Sequence, residues 1–111
     1  MVNVERLQRG IRAYVDNEML PKMTGAQRWM TAVAVGIYTE KLPQMLGNYA
    51  ESPSIKPLGV ITPDGVDVET AYKYLKPAAQ AGGATFNVPV LGAVTFTEAD
   101  VDHLYQYIMQ Q

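Results

Sequence analysis

Ala84 to Met109 reads ATFNVPVLGAVTFTEADVDHLYQYIM, two β-type runs, a glycine-bearing turn, a helix cap and an amphipathic helix with almost no linker between them. A three-residue loop of Val90, Leu91 and Gly92 would put Gly92 in the left-handed position that such loops require. Pro89 then pairs with Ala93, Val88 with Val94, and Phe86 with Phe96. Apolar side chains share one face in that register, while Asn87 and Thr95 share the other. A two-residue loop would set Phe86 against Thr97, and a one-residue slip buries the wrong set of side chains. Pro89 cannot donate to a ladder, so a free strand edge is expected there. Thr97 reads as the cap of the helix that follows, with Glu98, Asp100 and Asp102 near its positive end. Val101, Leu104, Tyr105 and Ile108 then recur with the period of one buried helix face.

Working outward, Gly82-Gly83 closes the element that precedes this unit. Asp67 is placed to cap a helix over Val68 to Ala81, with Ala71, Tyr72, Leu75 and Ala79 inward and a kink or early stop at Pro77. Upstream, ESPSIKPLGVITPDGVD (Glu51 to Asp67) contains three of the seven prolines and reads as a connector. It offers one short strand over Leu58 to Thr62 and a turn at Pro63-Asp64-Gly65.

Residues 1–50 are helical in pattern. Asn3 can cap a helix to about Met19, with Val4, Leu7, Ile11, Tyr14 and Val15 on one side and Arg6, Arg9, Arg12 and Asp16 on the other. That arginine stripe reads as a solvated face. Leu20-Pro21 ends the helix. Thr24 and Gln27 form a candidate capping box for a helix over Ala26 to Leu42. Trp29, Met30, Val33, Val35 and Ile37 make this helix apolar nearly all round, as expected of a core helix or one shared with an oligomer contact. Small residues at Ala32, Ala34 and Gly36 would allow close approach. Pro43 is expected to start or kink a further turn to Tyr49. The fold class that follows is α+β, one domain over 1–111: a helical half (1–50), a Pro/Gly-rich connector (51–67), then helix, hairpin and helix (68–111).

Composition narrows the function classes. The chain has 111 residues, 48% hydrophobic and 18% charged, enough for one core and too apolar for disorder. It has no cysteine, which excludes disulfides and thiolate chemistry. The start lacks a signal-peptide layout, and the most apolar run, Trp29 to Tyr38, is too short to span a bilayer. Residues 1–56 carry seven basic and five acidic side chains; residues 57–111 carry two and six, with no Lys or Arg after Lys76.

The candidate chemical constellations are thin. Asp100 and His103, one helical turn apart, could form a carboxylate-oriented imidazole, but catalysis would also need a nucleophile or a metal with further ligands; His103 is the sole histidine, and it reads as an exposed helix-surface residue. Asp64-Gly65-Val66-Asp67-Val68-Glu69 lacks the ligand alternation of a calcium loop and reads as turn plus cap. Gly82-Gly83 is followed by no Lys-Ser or Lys-Thr, which removes a phosphate loop. No residue is therefore assigned a catalytic, cofactor-binding or metal role, and a non-enzymatic protein is expected. Three helices, a hairpin and a last helix is also the order of a winged-helix DNA-binding domain. A cation-free wing argues against that alternative, because DNA affinity rests on phosphate neutralisation.

Four stretches carry a resemblance: YVDNEMLPKM (14–23), AVAVGIYTEKLPQML (32–46), LGVITPDGVDVETAY (58–72) and VPVLGAVTFTEADVDHLYQYI (88–108). In these the chain is similar to small uncharacterised phage and prophage proteins of Gram-positive bacteria. The resemblance implies a role in virion assembly or as an accessory interaction module, in the cytoplasm of the bacterial host or on the virion. A protein partner or homo-oligomer is expected, the cation-free hairpin makes nucleic acid an unfavoured partner and the short apolar run excludes a membrane span; the resemblance supplies no active-site residue.

Overall fold

The computed structural model describes residues 1–88 and 92–111. Its elements are β1 (Val2–Asn3), α1 (Val4–Tyr14), α2 (Gly25–Ala50), β2 (Ile61–Thr62), β3 (Gly65–Val66), α3 (Val68–Gln80), β4 (Ala84–Val88), β5 (Gly92–Phe96) and α4 (Glu98–Met109). They form one α+β domain with a radius of gyration of 13.7 Å.

Local chemistry sets the helix starts as expected in three places. The Asn3 side chain accepts from the Arg6 amide at 2.8 Å, and the Asp67 side chain from the Thr70 amide at 3.3 Å. At Thr97 the cap is a reciprocal box: its hydroxyl accepts from the Asp100 amide while Asp100 accepts from the Thr97 amide. Thr24 does not behave this way. Gly25 takes φ +59° at the turn into α2, so a residue without a side chain stands at the helix start, and Thr24 makes no cap bond.

α1 is the centre of the packing. It continues from Tyr14 through one π-helical turn, Val15–Met19, and a 3₁₀ turn at Leu20–Lys22. Leu7 joins Val2, Leu42, Leu46, Val68 and Ile108 in the buried cluster. α4 crosses α1 so closely that a Cβ on Gly10 would lie 2.6 Å from the Ile108 Cα. Arg6 also reaches across, its Nη2 donating to the Met109 carbonyl at 2.8 Å and satisfying a free acceptor at the end of α4. Arg12 donates to the Thr39 hydroxyl at 3.1 and 3.3 Å. Two of the three arginines expected on a solvated face thus join α1 to its neighbours.

α2 corrects the expected break at Pro43. The helix runs unbroken for 26 residues, about 39 Å, with Pro43 inside it. A proline there cannot bond the carbonyl four residues back, on Thr39. That carbonyl instead accepts the side-chain amide of Gln8 at 2.7 Å. Gln8 and Arg12, one turn apart on α1, both converge on Thr39, which is wholly buried.

The connector holds more structure than expected. β2 and β3 form a small hairpin around Pro63-Asp64, and the N-terminal β1 adds to β3 to give the order β1-β3-β2, all antiparallel. Gly65 admits β1, since a Cβ there would lie on the Val2 carbonyl. The strand expected from Leu58 begins only at Ile61, because Lys56–Leu58 form a 3₁₀ turn that ends at Gly59 with φ +64°.

β4 and β5 pair antiparallel with Phe86 opposite Val94, Asn87 opposite Ala93, and Val88 opposite Gly92. The expected register is off by two residues. Side-chain faces survive a shift of two, so Phe86, Val94 and Phe96 still share a face, with the Phe rings as diagonal neighbours at 5.6 Å. Two contacts favour the observed register: the Thr85 and Thr95 hydroxyls meet at 2.9 Å, and Gly83, at φ +107°, leaves room for the Thr95 methyl. Gly92 takes φ +76° as expected, but within the ladder rather than the loop. The expected turn at Val90-Leu91 and the edge at Pro89 lie outside the described residues.

Candidate functional site

An open apolar cavity of about 250 Å³ lies between α1, α2, α3, α4 and the β4–β5 hairpin. The period-3.6 faces of the helices and the inner face of the hairpin converge on it. Leu7, Ile11 and Tyr14 come from α1, Val35 and Tyr38 from α2, Leu75 from α3, Phe86 and Phe96 from the hairpin, and Leu104 and Ile108 from α4. Apart from tyrosine hydroxyls, every lining side chain is apolar. Phe86 is 38% exposed, so the hairpin side of the cavity is open to solvent.

Polar clusters stand beside the cavity. Tyr72 stacks on Tyr105 at 4.4 Å, donates its hydroxyl to Asp102 and accepts from Lys76 Nζ at 2.9 Å. Lys76 also lies 3.5 Å from Asp102 and 3.9 Å from Glu98. The Tyr72 hydroxyl, then Lys76, holds the Asp102 carboxyl below the usual range; the same hydroxyl, then Asp102, raises the Lys76 ammonium. The second cluster centres on Glu18. It accepts from the Tyr107 hydroxyl at 3.0 Å, which raises that phenol, and lies 3.9 Å from His103 Nδ1. Tyr14, only 3% exposed, sits edge-on to both Phe96 and Tyr107. Burial first, then the Asp100 and Glu18 carboxylates, push its phenol well above the ordinary range.

The Asp100–His103 pair does not form. Asp100 turns back to cap its own helix, and His103, half exposed, faces Glu18 across to α1's extension. Asp64 to Glu69 do what turn and cap residues do: Thr70 holds the Asp67 carboxyl low through its hydroxyl and amide. Among the described residues no group of three or more His, Asp or Glu side chains is arranged to hold a metal ion, and no helix is long and apolar enough to cross a membrane.

Two features escaped the sequence reading. Tyr72 and Lys76 are i, i+4 on α3, and His103 and Tyr107 are i, i+4 on α4, so each pair was legible; their acidic partners, on other elements, were not. The second feature concerns α2. Its inner face (Thr31, Ala34, Thr39, Leu42, Leu46) is buried, but Trp29 is 68% exposed, Met30 39% and Val33 37%. Within the single chain α2 is covered on one side, so the expectation of a core helix holds for that side only. Comparison with protein-family models, curated proteins and solved structures finds no match to the chain.

Proposed function

We propose that the chain is a non-enzymatic interaction protein of phage or prophage type, working in assembly through apolar contacts with a protein partner. The observation that carries this reading is the open, almost purely apolar cavity beneath the hairpin. Small-molecule sites usually enclose about 300–1,000 Å³ and carry a few placed polar groups that orient the ligand. This one is smaller and offers only phenols, which suits one or two apolar side chains projecting from a partner. The charged groups beside it support the same reading, because Asp100, Asp102, Lys76 and Glu18 are each engaged by an internal partner. The four stretches of phage-protein resemblance point to virion assembly as the setting.

The test is capture of a partner by the tagged chain from cells expressing the neighbouring phage genes. A partner retained by the parent chain and lost with Phe86→Glu supports the reading; capture indifferent to that substitution, or none, overturns it. The element order favours a second reading, a small winged-helix-like regulator that binds nucleic acid. Against it, the described wing strands carry no Lys or Arg, and Lys76 is tied to Tyr72 and Asp102. Salt-sensitive binding to duplex DNA would reverse the order of the two.

A further inference from the structure

Inner-face residues of α2 gather around one direction on the helical wheel, while Ala26, Met30, Val33 and Ile37 lie roughly opposite, with Trp29 beside them. Their 4-3-4 spacing is that of a helix–helix seam. Ala26, Trp29, Met30 and Val33 are exposed, and Ile37 is half-buried. The same seam continues as Glu40 and Gln44, both exposed and polar.

We propose that this seam pairs with the same seam of a second copy, antiparallel, about a two-fold axis at Val33. Three observations select that occupant and register. First, the seam is self-complementary when reversed. With Val33 against its copy, Trp29 lies level with Ile37, and Met30 level with Gly36, where nothing within 4 Å would obstruct an added carbon. Second, the same register brings Glu40 level with Ala26 at the start of the partner helix. That start has no side-chain cap and no acidic residue in its first turn, so its free amides and positive dipole end lack a carboxylate. Glu40 supplies one from each copy to the other. A parallel pairing would instead place Glu40 beside Glu40. Third, the size is adequate for a reversible dimer. Trp29 exposes on the order of 150 Å², and three turns of paired seam cover roughly 1,000 Å² in total, the lower end for a specific interface. The dissociation constant expected is on the order of micromolar. This surface is separate from the cavity, so the pairing stands or falls independently of the partner captured there.

The absence of cysteine allows a clean test on the full chain. Under mild oxidation Val33→Cys should form a disulfide-linked dimer, since facing Cα atoms on packed helices come within disulfide range. Gln44→Cys lies on the same seam, but in the antiparallel pair it sits about 33 Å from its copy and should stay monomeric. Cross-linking of both positions would signal a parallel pair and overturn the proposal. Sedimentation equilibrium of the unmodified chain should show dimer growing with concentration, with Trp29 emission shifting to the blue. Val33→Glu should weaken association at least about tenfold at unchanged circular dichroism. A strict monomer up to about 300 μM, or a dimer insensitive to Val33→Glu, also overturns it. Should the monomer lose capture of a protein partner on Val33→Glu, the seam belongs to that partner and not to a second copy.

Discussion

The contact between Gln8 and Thr39 should be worth far more with Pro43 in place than without it. In the native chain Pro43 cannot donate to the Thr39 carbonyl, and among the described residues that carbonyl has Gln8 as its hydrogen-bond donor, at 2.7 Å. Thr39 is wholly buried, so water does not substitute. Gln8→Ala therefore strands a buried acceptor, at a cost of about 1–3 kcal/mol. Unfolding entropy scales as roughly 2.1 cal/mol/K per residue, so each kcal/mol moves the midpoint of a chain this size by about 4 °C. A fall of roughly 4–12 °C is expected.

Pro43→Ala returns an amide to the helix, four residues from the stranded carbonyl. Its helix propensity gain is up to about 3 kcal/mol, reduced by about 1 kcal/mol for the freer unfolded chain. With the ladder bond restored, removing Gln8 should cost only a few tenths of a kcal/mol. The double-mutant cycle then gives a coupling of about 1–2 kcal/mol between residues that do not touch through their side chains. Urea unfolding of the four proteins, followed by far-UV circular dichroism, measures it. Additive losses, within about 0.3 kcal/mol, would refute the argument that Gln8 stands in for the missing amide.

Two helical glycines separate sterics from propensity: Gly47→Ala, with nothing within 4 Å of the added carbon, should stabilise by about 0.5–1 kcal/mol. Gly10→Ala, facing the Ile108 backbone at 2.6 Å, should destabilise by about 1–3 kcal/mol despite the same propensity gain, read from urea midpoints. The Thr31 hydroxyl is buried with no partner among the described residues, so Thr31→Val should raise the melting temperature or leave it unchanged. Thr97→Ala removes half of the α4 capping box and should cost about 1 kcal/mol, a loss of about 4 °C in thermal melts. In alkali, an unfolded tyrosine ionises near pH 10 while buried Tyr14 stays protonated to higher pH, so its contribution is intact below about pH 10 and is lost as pH rises beyond it. Tyr14→Phe should flatten that loss above about pH 10 in urea midpoints, leaving the contributions of Tyr38 and Tyr107, whose phenols are also raised.

The features legible from sequence are those whose partners lie within a turn. Asn3, Asp67 and Thr97 cap helices by reaching an amide three residues ahead, and the apolar periods of α1 and α4 report faces that are indeed inward. Alternation likewise fixes which hairpin residues share a face, but it fixes parity and not offset. The two-residue shift was decided by Thr85 meeting Thr95 and by Gly83 making room for it. Pro43 reads locally as a break, and the donor that takes the place of its missing amide sits 31 residues from Thr39. Asp100 and His103 have the spacing of a pair, yet Asp100 has a nearer competitor in its own helix start.

α2 is the sharpest case. An inner stripe covered by the fold and an outer stripe open to solvent are both largely apolar, so the sequence alone could not separate the covered face from the exposed one. The fold separates them, because Ala34 is wholly buried and Trp29 is two-thirds exposed within the same two turns. The apolar residues that the fold leaves uncovered lie on the outer face of α2 and at the open side of the cavity at Phe86. Substitutions at Val33 and at Phe86 therefore test the two proposed contacts separately, in a domain whose core residues they leave in place.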